Sequence, residues 1–234
     1  MSVSTIIKEL KTLSDPCKLE GMARFGINPK NTLGVSMPEL YSIAKLYKRD
    51  HKLALELWDT GIHEAKILSA MIDDHKKVTE SQMNSWVEDF DSWDVCDQVV
   101  MKLFDKTPYA RQKAFEWALR DEEFVKRAGF VMMAAIAVHN KKADDKYFDE
   151  FFQYIINQSD DDRNFVKKAV NWALRQIGKR NHNLRLKAID VANEIFDRNT
   201  KAGNWIARDA IRELESNKTI QILDRKANKK ALRI

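Results

Sequence analysis

The sequence predicts an all-α chain on three observations, and a repeat in its second half adds the architecture of a HEAT-like or armadillo-like helical solenoid. Apolar residues recur at i, i+3, i+4 spacing along nearly the whole chain. Only 7 Gly and 4 Pro in 234 residues leave little material for the many turns of a β fold. Lys, Ala, Leu, Arg and Glu are abundant, all good helix formers, and no strand alternation is apparent.

The helical segments follow one another with short polar connections. Segment 3–13 carries Ile6 and Leu10 on one face, 37–48 carries Leu40 and Ala44, and 50–58 carries Leu53 and Leu57. Ala65 and Leu68 mark 63–74, Met83 and Trp86 mark 79–89, and Cys96, Val99 and Leu103 mark 94–105. The stripe continues through 108–120 (Ala110, Ala114, Trp117), 122–139 (Phe124, Ala128, Val131) and 144–157 (Phe148, Phe151, Ile155). It ends with 162–178 (Val166, Val170, Ala173), 183–197 (Leu184, Ala188, Ile195) and 203–215 (Ile206, Ala210, Leu214).

A repeat runs through the second half. FVKRA begins at Phe124, FVKKA at Phe165 and WIARDA at Trp205, at offsets of 41 and 40 residues. A period near 40 carrying two helices is the signature of HEAT-like or armadillo-like stacks, in which each unit buries its apolar face only against its neighbours and a concave surface results. One continuous repeat domain, 1–216, followed by a basic segment, 217–234, is the simplest organisation. The fourth repeat position is always basic: Arg127, Lys168 and Arg208. Such a series either lines one surface as a stripe that meets phosphates or pairs with residues of the adjacent unit.

Composition narrows the function classes. The longest apolar run, FVMMAAIAV at 130–138, is too short to span a bilayer, and MSVSTIIKELKTL lacks the basic start and cleavage pattern of a signal peptide. Cys17 and Cys96 are too few and too separated for a disulfide framework, so both read as reduced thiols in a cytoplasmic protein. The net charge of +5 permits a polyanionic partner without demanding one. The basic end, DRKANKKALRI, reads as a solvated tail or a non-specific phosphate contact. No Cys-x-x-Cys, His-x-x-x-His, Gly-rich phosphate loop, Ser-His-Asp set or iron–sulfur spacing is present, so neither a metal nor another cofactor is expected. His51, His63 and His75 read as surface residues or satisfied helix positions.

The most informative stretch is DSWDVCDQVV at 91–100. Trp93 and Asp97 are four apart, which on a helix puts an indole and a carboxylate on one face, suited to a cation. An acid near a helix start more commonly caps the helix or answers its dipole; Asp91, Ser92 and Asp94 are placed for that, and Asp97 lies too deep. Among the six tryptophans, Trp58, Trp86 and Trp117 sit on ordinary amphipathic patterns and read as core. Trp172 differs, because it lies four residues after Lys168 and so shares a face with the recurring cation.

Taken in order, GMARFGI, LGVSMPEL, SWDVCDQVV, EFVKRAGFVMMAA and NFVKKAVNWALRQIGK resemble the AlkD-type DNA alkylation repair glycosylases, built from HEAT-like repeats. The resemblance implies a DNA glycosylase that removes cationic N3- or N7-alkylated purines from duplex DNA, acts without a cofactor and works as a monomer. It places Trp93, Asp97, Arg127 and Trp172 around the damaged nucleotide on one concave patch: Asp97 for the oxocarbenium-like sugar and the incoming water, the two tryptophans as aromatic walls, Arg127 on a phosphate. Lys168 and Arg208 would add DNA contacts. Two features depart from the family pattern: Phe25 stands where a Tyr is expected, and Leu40 and Tyr41 where arginines follow Pro38. A non-catalytic module binding distorted or branched DNA and a peptide-binding scaffold are the competing readings.

Overall fold

Helices account for the regular structure of residues 2–231 described by a computed structural model, without a strand among the described residues. The chain divides into two compact units, the first ending at Ala110 and the second beginning at Arg111.

The first unit contains α1 (Val3–Thr12), α2 (Leu19–Arg24), α3 (Met37–Ala44), α4 (His51–Trp58), α5 (His63–Ile72), α6 (Glu80–Glu88) and α7 (Trp93–Lys102). Local chemistry sets several starts. Asp50 accepts the amide of Leu53 at 3.1 Å and Thr79 that of Gln82 at 3.1 Å, satisfying donors that a helix N-terminus leaves unpaired. Glu39 reaches back to the amide of Ser36 at 2.8 Å and its hydroxyl at 2.6 Å, which fixes the start of α3 beside Pro38. These bonds to Ser36 hold the Glu39 carboxyl below its ordinary range.

At the centre lies α5, packed against α3, α4 and α7. Beside it the indoles of Trp58 and Trp86 stack in parallel at 4.0 Å, and Trp58 Nε1 donates to Asp89 Oδ2 at 2.8 Å, so the buried ring keeps its one polar atom satisfied. The loop before α3 is held by a buried acid. Glu64 is 1% exposed and accepts the amides of Leu33, Gly34 and Val35, the closest at 2.7 Å. Gly34 is required there: its φ is +79°, and a Cβ would lie 2.3 Å from the Asp15 carbonyl oxygen.

The second unit begins within α8 (Ala110–Ala118) and continues with α9 (Glu123–His139), α10 (Asp149–Asn157), α11 (Asn164–Gly178), α12 (His182–Asp197), α13 (Lys201–Leu214) and α14 (Asn217–Ala231). The three helices that carry the repeat motif are neighbours in space, α11 packing against both α9 and α13, while α10 packs against α12. Two ranks of helices at a period near 40 residues are what the motif spacing predicts. Every residue of α9 from Val125 to Ala137 is buried. Gly129 makes that possible, since a Cβ there would lie 2.4 Å from the backbone nitrogen of Ala118 in α8. Phe124 and Phe165, equivalent repeat positions, meet at 5.5 Å.

Two helices depart from the sequence expectations. Residues 19–24 form α2, a single short element with no buried residue, whose one apolar set, Leu19, Met22 and Ala23, is too brief to read as a helical period. The basic segment 217–234 is helical through Ala231 rather than a free tail, and its residues 232–234 lie outside the described residues. Leu223, 1% exposed, and Thr219 anchor that helix, and Lys226 Nζ donates to the Lys179 carbonyl at 2.7 Å. Ile220, Leu223 and Ala227 share a face of it, but the many charged residues around them hid the pattern.

Candidate functional site

Helix α7 begins at Trp93, immediately after Ser92, whose side chain is fully buried and does not cap it. The acids nearby have other partners. Asp91 Oδ2 accepts from Asn28 Nδ2 at 2.8 Å, and Asp94 accepts the amide of Val95 at 2.9 Å while meeting His63 Nε2 at 2.9 Å. Trp93 is partly exposed, and its Nε1 donates to the carbonyl of Phe25 at 2.9 Å. With Asn28–Asp91, this bond ties the loop after α2 to the start of α7 and locks the indole plane. Asp97, one turn on, is 9% exposed, so its carboxylate sits at the edge of the core rather than in bulk water.

His63 lies under this helix start, 5% exposed. Burial alone would favour its neutral ring, but the hydrogen bond and charge of Asp94, joined by Glu64 and Asp91, outweigh it and raise its pKa above the ordinary 6.5. Sequence reading missed this role for His63, because a histidine and an acid 31 residues apart carry no local pattern. His51 is likewise engaged, Nδ1 lying 2.7 Å from Asp73 Oδ1.

The departures from the family pattern resolve into different environments. Phe25 is 76% exposed, and its backbone, not its ring, holds Trp93. Leu40 is 1% exposed and belongs to the core, so position 40 presents nothing to a ligand. Tyr41 is 42% exposed, with the Lys102 ammonium 5.0 Å from its ring.

In the second unit, Arg127 on α9 is 5% exposed, and its Nη1 donates to the Phe165 carbonyl of α11 at 2.7 Å. Lys168 and Arg208, at the same repeat position, are exposed, the Arg208 guanidinium lying 5.6 Å from the Phe196 ring. Trp172 is partly exposed on α11, one turn after Lys168, whereas Trp117 is 1% exposed inside the helix stack. The recurring cations are therefore not equivalent: the first is built into the contact between adjacent helices, and the later two face solvent. Below Trp172, Asn171 is fully buried and donates to Asp209 Oδ2 at 2.7 Å, while Arg175 and Lys179 both engage Glu213, Lys179 at 2.6 Å. These bonds fix α11 against α13 and so fix the setting of Trp172.

No helix among the described residues is long and apolar enough to cross a membrane. Among solved structures, the fold is similar to one from a family of proteins related to the HEAT-like repeat DNA glycosylases with affinity for branched DNA structures. The TM-score is 0.74 and the identity 21%, over 83% of each chain. No curated protein matches the sequence. The model of the DNA alkylation repair enzymes matches residues 6–214, nearly the whole repeat array, and the chain belongs to that family.

Proposed function

We propose that the protein is a DNA glycosylase that releases cationic N3- and N7-alkylated purines from duplex DNA. The observation that carries this reading is the pair at the start of α7: an indole locked by its bond to Phe25, with a carboxylate one turn away at the edge of the core. A purine alkylated at N3 or N7 already bears a positive charge. When its C1′–N bond breaks, the electron pair leaves with the base and neutralises it, so no acid is needed to protonate the leaving group. Positive charge then passes to C1′ and the ring oxygen of the sugar. Asp97 stabilises that charge and accepts a proton from the water that attacks C1′. Trp93 offers its electron-rich face to the same cation. The products are the neutral base and an abasic site.

In the second unit, the exposed Lys168 and Arg208 are assigned to phosphates, contacts that position without reading sequence. Arg127 supplies fixed positive charge toward the backbone, and Trp172 an aromatic face for deoxyribose. With one carboxylate and no proton donor in the scheme, the rate depends on the lability of the lesion. Single-turnover release of 7-methylguanine should therefore exceed release of the neutral hypoxanthine by at least about 100-fold. Comparable rates would mean that the enzyme protonates its leaving group, and the scheme would be wrong.

A second reading, binding of branched DNA without base excision, is favoured by the likeness to a family with that affinity. It predicts tight junction binding and no abasic product from any alkylated duplex.

A further inference from the structure

Lys201, Asn204, Trp205, Arg208, Asp209 and Arg212, all on α13, line a cleft of about 250 Å³. Its chemistry is uneven in an informative way. Trp205 is 39% exposed, a large indole left in solvent, and the Lys167 ammonium of α11 lies 5.3 Å from its ring. Of the charged residues lining the cleft, Lys201, Arg208 and Arg212 are cationic and Asp209 is the acid. Asp209 is already engaged, by Asn171 at 2.7 Å and by Arg212. A net positive cleft beside an accessible indole suits a ligand with both an anion and a flat π-face.

We propose that this cleft binds one unpaired nucleotide of a DNA strand, the base against Trp205 and its phosphate on Lys201 and Arg208. Base–aromatic stacking beside a cationic groove is the general means by which proteins hold single strands. A base inside a duplex has both faces covered by its neighbours and cannot stack on an indole, so the cleft selects flaps, frayed ends or junction strands over continuous duplex. Its volume is below the roughly 300–1,000 Å³ of sites for drug-sized ligands, a size that suits one base. A purely acidic peptide would satisfy the cations but give the indole nothing to stack on. The proposal rests on the reading that this protein binds DNA and is independent of the role assigned to Asp97.

The test compares a blunt duplex with the same duplex bearing a five-thymidine 3′ flap, by fluorescence anisotropy at fixed salt. The wild type should bind the flap substrate on the order of tenfold more tightly, the low-to-middle part of the range expected for one stacked base. Trp205→Ala should erase that preference while leaving blunt-duplex affinity and 7-methylguanine release unchanged, which also shows that the variant is folded. Trp205→Phe should keep part of the preference. Lys201→Glu, at an exposed helix start where an acid is tolerated, should weaken flap binding. Equal flap preference in the wild type and Trp205→Ala would overturn the site, as would displacement of the flap by a poly-glutamate peptide at lower concentration than by oligothymidine. Failure of the wild type to bind either DNA would overturn the DNA-binding reading itself, a result distinct from loss of flap preference alone.

Discussion

Trp93 shows how a single hydrogen bond fixes the setting of a side chain. An indole at a helix start is free to turn about two torsions; the bond from Nε1 to the Phe25 carbonyl removes that freedom and leaves the ring partly open to solvent. The surrounding residues serve the same end. Glu64, buried and holding three consecutive amides, fixes the loop that leads to α3. Glu64→Gln substitutes a neutral amide for charge-assisted bonds worth about 1.5–3 kcal/mol each, and we expect a loss of at least about 3 kcal/mol in urea denaturation. The His63–Asp94 pair makes stability depend on pH. Its folded pKa is raised above 6.5, so protonation favours the folded state. The contribution is complete below pH 6.5 and disappears as pH rises through the higher folded value. Thermal melts of the wild type and Asp94→Asn should therefore differ most near pH 5.5, with the gap narrowing by pH 8. A gap independent of pH would show that the ion pair contributes nothing beyond its neutral hydrogen bond.

Among the elements, helix existence was legible from apolar periodicity and helix role was legible only in part. The repeat motif led from sequence to the adjacency of α9, α11 and α13, because each motif carries its own apolar face. The six-residue α2 and the strongly basic α14, whose apolar positions are few beside their charges, were not. Nor did spacing show that Arg127 is buried while Lys168 and Arg208 are exposed; that depends on α9 being covered on all sides, a tertiary property. The burial of α9 depends in turn on Gly129, which lets its backbone approach that of α8. Gly129→Ala places a methyl against backbone that cannot yield as a side chain would. Overpacking of this kind costs typically 1–3 kcal/mol and occasionally more, and we expect at least about 3 kcal/mol here, read as a lowered midpoint in denaturant. A neutral result would mean that α8 and α9 separate readily.

For the molecule as a whole, 40 basic and 35 acidic residues give a modest excess of positive charge, so the proposed DNA affinity depends on where the cations stand. Affinity for undamaged duplex should fall linearly on a plot of log affinity against log salt, and Lys168→Ala should reduce the slope by about 1. A slope near zero would point to a protein ligand instead. The family was legible because the order of five short motifs spans both units, although no one motif is specific. The chemistry rests on fewer atoms. Its most direct test is single-turnover release of 7-methylguanine from duplex DNA by the wild type and by Asp97→Asn, with DNA affinity measured in parallel. The account predicts a loss of at least about 100-fold in rate, the scale seen when a transition-state charge partner is removed, with binding preserved. Equal rates from both proteins would contradict it.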